Sequence, residues 1–491
     1  MSRSLRAVFW AASLSCLVAA LGETTWARTS DRLAHAIDLI LAREVFRPAS
    51  VAIDIRDLET GRVLYERNPT LNMKPASTMK LFTTAALLDA EGPEALTAPT
   101  TIETAGRLDS FGRVLGDIYL IGRGDPNLSD RFESRTEKNP FDQLAKDLKD
   151  AGITRIEGRL IAYDGLFSSE SIPDSWTADD LVWSYGAEVS ALSAFDNTLR
   201  LRLEPGEQNE DAARLTIRPA TGFMQIENRV KTGEVESKTD IALSRDLGSR
   251  QVVLEGRLAR SSAAWTGSVA VPEPARFAAT LLAEALGRQG IVIRDTVTAS
   301  RDPLPSSLRP LASVRGPAVI EQIRVVNKES QNLHAETLLR RLGLAAFKDA
   351  SVEASLRARE AFLKAQGVRI EDTAMYDGSG LSRSDLVTAR SLVDLLSAMD
   401  RHRYAKAFRD SLPVGGVDGT LRRRMTGTTA QGRIYAKTGS LRHVNALAGY
   451  VDAVSGRRLV FSILVNHHTR PSKEALEAMD AICVLLADLR S

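Results

Sequence analysis

The stretch "KPASTMKLFTTAALL", residues 74–88, places Ser77 and Lys80 three positions apart at a helix start. Residues three apart on a helix share a face, so the serine hydroxyl and the lysine amine can meet. Pro75 and Ala76 put Ser77 at or next to the first turn, where unpaired amides and the helix dipole favour developing negative charge. Leu81, Ala85 and Leu88 continue one apolar stripe, which predicts a helix buried along its length. A lysine one turn into such a helix is costly when charged. Desolvation lowers its pKa and lets it act as a base toward a serine nucleophile. The same residues also fit a helix-capping serine beside a solvated lysine, so the pair alone decides nothing.

Two further motifs change that balance. Ser330-Gln331-Asn332 lies in "VNKESQNLHAE" at a loop-to-helix junction, and Lys437-Thr438-Gly439 lies on a predicted strand in "YAKTGSL". The order S-x-x-K, S-x-N, K-T-G is far rarer than any one motif. An acyl transfer needs a nucleophile, a base, a proton path to the leaving nitrogen and an oxyanion site. Ser77 can attack and Lys80 can take its proton. Ser330 can relay a proton to the leaving amine, with Lys437 adding positive potential beside it. Asn332 can hold Lys80 and the substrate amide. Thr438 can bind a terminal carboxylate. Gly439 leaves room for close approach, and the backbone N–H groups of Ser440 and Ser77 can form the oxyanion hole.

The flanks predict the sheet that carries these motifs. Residues 30–43 read as an amphipathic helix, and "SVAIDIRD" turns through Thr60-Gly61 into "RVLYERN" as a hairpin. "RIYAKTGSL" (433–441), "NALAGYVDA" (445–453) and "RRLVFSILVN" (457–466) read as three strands, and a helix follows from Ser472. One sheet built from both termini follows, with the middle as an excursion. "GDIYLIGRGDPNLSD" reads as a strand running into a Gly/Pro turn. Residues 197–260 read mostly as strands, and a helix over 274–291 leads back.

The 491 residues carry a formal net charge of +2, 44% hydrophobic and 26% charged residues, which is globular composition with room for two to three domains. No basic block suggests nucleic acid, and the six histidines show no metal-ligand spacing, so no metal and no cofactor are expected. Arg3 and Arg6 precede an apolar run from Ala7 to Leu21, followed by small residues, which is the layout of a secretory signal peptide cleaved after Ala27. An uncleaved anchor is the alternative, although the run is short for a membrane span. Cys16 lies in that run with Ser13 where a lipidation signal would want leucine. Only Cys483 remains after cleavage, on an apolar stripe with Leu476, Met479 and Leu486, so it reads as buried filling and no internal disulfide is expected. The acidic residues of that last helix argue against a membrane span. Its stripe is expected to pack on the sheet, with loose membrane association as the alternative.

With these motifs the chain resembles the class C low-molecular-mass penicillin-binding proteins, D-alanyl-D-alanine carboxypeptidases and endopeptidases. About 250 residues separate the first two motifs, where this family carries inserted domains. "GRGDPNLS", "SALSAFDN", "DGSGLS" and "GGVDGTLRRRM" also resemble its typical stretches. One departure is Gln331 in place of the usual aspartate of S-D-N. The resemblance implies an α+β fold of the DD-peptidase/β-lactamase type: an antiparallel sheet with helices from both termini on one face, a helical lobe on the other, and a large, mostly β inserted region. The expected division is a signal peptide at 1–27, a catalytic domain at 28–92 and 303–491, an inserted domain at 93–199 and 265–302, and a nested β-rich domain at 200–264.

The resemblance further implies the roles above for Ser77, Lys80, Ser330, Asn332, Lys437, Thr438 and Gly439. It also implies that an aspartate from the insertion contacts the amino group of a peptidoglycan side chain, and "AYDGLFSS" offers Asp164. Arg383 after "GLS" and Arg442 past K-T-G are candidate substrate contacts, whereas His443 reads as a strand-end residue. The function implied is a periplasmic serine DD-peptidase acting on peptidoglycan peptides, with β-lactams as covalent inhibitors of Ser77. A serine β-lactamase and a non-catalytic cell-wall scaffold are the competing readings. The large insertion and the absence of a deacylating glutamate motif weigh against the first, and the intact motifs against the second.

Overall fold

The computed structural model describes residues 31–132, 139–167 and 170–490. The signal segment expected at 1–27 lies outside them. The chain opens with helix α1 (31–41). The hairpin of β1 (Ser50–Asp57) and β2 (Val63–Arg67) follows. A single 3-10 turn, Ala76–Met79, then leads into α2 (Lys80–Glu91). Every residue from Lys80 to Leu88 is buried, so this helix is enclosed on all sides rather than along one stripe. Its composition explains this: Thr83, Thr84, Ala85 and Ala86 fill the faces that the large apolar side chains leave.

The excursion then begins. Five strands form its main sheet in the order 297–300, 160–163, 118–121, 100–104, 309–314. "GDIYLIGRGDPNLSD" supplies two strands instead of one: past the turn at Gly124, Asp125–Leu128 pairs in parallel with Leu192–Ala194. The nested region contributes β3 (Thr198–Glu204), β4 (Arg214–Arg218) and β5 (Trp265–Ala270), with β3 central and antiparallel to both neighbours. Two pairings run past the expected divisions. Strand 309–314 pairs with 100–104 in the inserted sheet, although it falls after residue 303. β3 and β5 share a sheet, although 200–264 would cut through it.

The chain returns through Val319–Lys328 into α3 (Asn332–Phe347). It ends in β6 (Ile434–Leu441), β7 (Val444–Asp452), β8 (Arg458–Asn466) and α4 (Ser472–Ala487). The sheet order is β2-β1-β8-β7-β6, antiparallel throughout, with the N-terminal hairpin completing the C-terminal strands. This is the α+β DD-peptidase/β-lactamase architecture. Its strands read as near-continuous apolar runs because both faces are covered. Ala446, Ala448 and Tyr450 face the lobe that holds α2 and α3. Leu447 and Val451 face α1 and α4, where Met479 and Cys483 pack against Ile53 and Phe461. Burial pushes the Cys483 thiol pKa well up, in keeping with a core filler. Among the described residues no helix is long and apolar enough to cross a membrane.

Candidate active site

Ser77 sits in the 3-10 turn before α2, between lobe and sheet. A Cβ added at Gly439 would lie 2.8 Å from the Pro75 carbonyl and 3.0 Å from the Ser77 amide. Glycine thus lets β6 press directly on the serine turn. The opposite side is closed by "DGSGLS". Asp377 accepts from the amides of Gly380 (2.6 Å), Ser382 (2.8 Å) and Ser379 (3.2 Å), and from Trp176 Nε1 at 3.0 Å. This carboxylate-held turn brings the Ser379 carbonyl to the Lys80 amine.

Lys80 is fully buried, and its Nζ has three partners: Ser77 Oγ at 2.8 Å, Asn332 Oδ1 at 2.6 Å and the Ser379 carbonyl at 2.7 Å. Burial pushes its pKa down to about 7, against the opposing pull of Asp377, Glu336 and Asp385. A neutral amine has two hydrogens and one lone pair. Two of the partners are carbonyl oxygens that only accept, so the lone pair is left for the serine hydroxyl. Beneath it, Glu336 accepts from the Gly378 amide, and burial followed by the Asp377 charge raises its pKa to about 7.

Ser330 adopts a left-handed backbone (φ 63°) that turns the chain into α3. Gln331 caps that helix by accepting from the Leu333 amide, so the residue that departs from S-D-N still performs a cap's work. Lys437 Nζ donates to Ser330 Oγ at 2.9 Å and to the Thr438 carbonyl at 2.8 Å. Burial, and then the neighbouring Lys80, hold its pKa well below the usual lysine range. Thr438 Oγ1 donates to Thr420 Oγ1 at 2.8 Å.

A cleft of about 950 Å³ opens over Ser77 and is lined by Ser330, Asn332, Ser440, Arg383 and Arg442. Arg383 is steered by Asp180, 3.7 Å away. His443 is a turn residue (φ 65°) bound to the His468 carbonyl. Asp164 does not line this cleft. It ends strand 160–163, whose parallel register with 297–300 sets Tyr163 opposite Ser300. That register brings Arg301 onto Asp164 at 3.1 Å through both Nε and Nη2, and the pair lines a separate cavity.

The acidic residues that the insertion does send to the cleft are Asp179 and Asp180, on the short segment 177–186, together with Trp183 and Tyr185. Asp180 is buried and caps Thr177, whereas Asp179 is exposed. The carbonyl of Tyr185 accepts from Asn332 Nδ2 at 2.8 Å. Sequence reasoning missed these residues because the segment is irregular and shows no helical or strand periodicity. The aromatics Trp183 and Tyr185, close behind the acidic pair Asp179-Asp180, were the available signal. Arg245, from the nested region, also lines the cleft.

The sheet, the lobe and two serines, each bonded by a buried lysine, define a peptidase-type chain of the DD-peptidase/β-lactamase fold. The chain belongs to the D-Ala-D-Ala carboxypeptidase 3 (S13) family, whose model matches residues 33–488. It is 34% identical over 481 residues to a D-alanyl-D-alanine carboxypeptidase of Actinomadura sp. (strain R39), covering 96% of this chain and 87% of that one. It is 24% identical over 442 residues to the D-alanyl-D-alanine carboxypeptidase DacB of Haemophilus influenzae, covering 89% of each. The crystal structure of penicillin binding protein 4 from Haemophilus influenzae matches with a TM-score of 0.78 at 22% identity, over 92% of this chain and 98% of that one.

Proposed function

We propose that this protein is a serine DD-peptidase of peptidoglycan, cleaving D-Ala–D-Ala termini or D-Ala–diaminopimelate cross-links through an acyl-enzyme on Ser77. The observation that carries this reading is the set of three partners around the Lys80 amine. Neutral Lys80 takes the Ser77 proton as Oγ attacks the D-Ala carbonyl. The amides of Ser77 and Ser440 receive the oxyanion. Ser330, polarised by Lys437, passes a proton to the leaving amine, and water then releases the acyl group. Thr438 and Arg442 bind the substrate's carboxylate end, and Arg383 contacts it from the other rim. Asp179 replaces Asp164 as the acidic group offered to a free amine on the peptide.

β-Lactams present a strained amide to the same serine and leave a stable acyl adduct. We assign a signal peptide to residues 1–27 and hence a periplasmic location. The catalytic domain resumes near residue 315, and the nested unit spans about 198–270. The stripe of α4 is occupied by the sheet, so loose membrane association would use another surface. Intact mass with benzylpenicillin tests the reading. A lasting adduct of one penicillin mass, absent in Ser77→Ala, is expected. Turnover without accumulation would mean a β-lactamase, and no reaction at all would mean a non-catalytic protein.

A further inference from the structure

A second cleft, of about 890 Å³, lies on the outer face of the nested sheet. It backs directly onto the catalytic cleft. Ser184 lines the second cleft and Tyr185 the first; Glu329 and Gln331 line the second, Ser330 and Asn332 the first. The wall between them is therefore one chain thick at the very turn that carries Ser330.

The second cleft is cationic. Arg131, Arg200, Arg202 and Arg218 line it against Asp196 and Glu329. Arg131 is neutralised in place: its guanidinium grips Asp196 at 2.9 and 2.8 Å and reaches Glu329 at 3.2 Å. Arg202 pairs along its own strand with Glu204 at 2.9 Å. Arg200 and Arg218 are left. They face each other directly across β3 and β4, with Ser268 opposite Arg200 on β5. Among the described residues Arg200 comes no nearer to a carboxylate than 4.0 Å, at Asp196, and Arg218 has no ion-pair partner. Like charges opposed on adjacent strands destabilise a sheet. An anion seated between them reverses that sign, and paired guanidinium forks match carboxylate geometry.

We propose that this second cleft binds the free carboxylates of the leaving stem peptide when the substrate is a cross-linked dimer. The inference rests on the DD-peptidase reading and adds a second binding cleft for its cross-linked substrate. In a cross-link the leaving amine, beside Ser330, belongs to a whole second peptide. That peptide retains its own carboxylates after the D-Ala–amine bond breaks. A terminal D-Ala leaving group brings only the one carboxylate assigned to Thr438 and Arg442. Arg200 and Arg218 thus act on dimers and not on monomeric pentapeptides.

The test compares kcat/KM for a purified cross-linked muropeptide dimer and for a D-Ala–D-Ala pentapeptide. Wild type, Arg200→Ser/Arg218→Ser and Arg200→Lys/Arg218→Lys are measured, each checked for benzylpenicillin acylation. The dimer-to-pentapeptide ratio is expected to fall about tenfold in the serine variant and to recover in large part in the lysine variant. In wild type the ratio is expected to drop with added salt, as exposed charge pairs are screened. An unchanged ratio, an equal fall on both substrates, or a wild type that cleaves pentapeptide but no dimer overturns the proposal and leaves the DD-peptidase reading standing. A wild type that penicillin does not acylate overturns both.

Discussion

The side-chain amide of Asn332 donates to the backbone carbonyl of Tyr185 at 2.8 Å, so the inserted region fixes the orientation of a motif residue of the catalytic domain. That bond aims Oδ1 at Lys80. Asn332→Asp removes the donor and sets a carboxylate against a carbonyl. It also places an anion beside Lys80, which favours the ammonium and raises its pKa from about 7. Acylation by a chromogenic β-lactam is expected to slow about tenfold or more at neutral pH, and its pH midpoint to move upward. A midpoint that stays in place would mean that Asn332 does not govern the charge on Lys80.

The depressed pKa of Lys80 gives the native enzyme a signature of its own. Below about 7 the amine is protonated and has no lone pair for Ser77; above it the base is free. The acylation rate is expected to rise with pH through that region and then level. Lys80→Arg keeps a positive charge that never dissociates at working pH, so acylation is expected to fall by about 10²–10⁴-fold. Stopped-flow acylation between pH 5 and 9 reads both effects.

The parts of this site that were legible in the sequence are local ones. S-x-x-K is fixed by helical spacing, S-x-N by a turn and its cap, and K-T-G by an edge strand whose one neighbour is apolar on both faces. The three terminal strands were legible for the same reason. What the sequence concealed depends on register between distant segments. Nothing near Asp164 announces Arg301, which stands 137 positions later on a parallel neighbour. The segment 177–186 is held by Asn332 and Arg383, and by the preceding Trp176 on Asp377, and its own pattern gives no period to read.

Asp164 and Asp179 therefore separate structure from recognition. Asp164 is buried against a half-exposed arginine and accepts from Ser190 Oγ. Asp164→Asn is expected to cost about 1–3 kcal/mol of stability, read by thermal unfolding, and to leave penicillin acylation within about twofold. Asp179→Asn is expected to leave stability within about 0.5 kcal/mol, as for exposed substitutions. It should lower kcat/KM about tenfold for a peptide bearing a free side-chain amine, relative to one with that amine acetylated. The reverse pattern would return Asp164 to the site.

Two glycines test how the serine turn is clamped. At Gly380 (φ 80°) an added Cβ would stand 1.9 Å from the Ala76 carbonyl, a clash with rigid backbone. At Gly439 the nearest atoms are at 2.8 and 3.0 Å, also backbone, but β6 is an edge strand and can shift outward. Gly380→Ala is thus expected to destabilise the whole protein by about 2–3 kcal/mol, since strain in the left-handed region adds to overpacking. Gly439→Ala should cost less stability, about 1 kcal/mol, because moving an edge strand relieves the contact. Its larger effect should be on chemistry. Moving β6 away from Ser77 separates the two amides proposed to receive the oxyanion, and lost oxyanion contacts cost about 10²–10³ in rate. Thermal unfolding and acylation rates measured on both variants should rank them in opposite orders. The same order in both would mean that β6 and the serine turn move as one rigid unit.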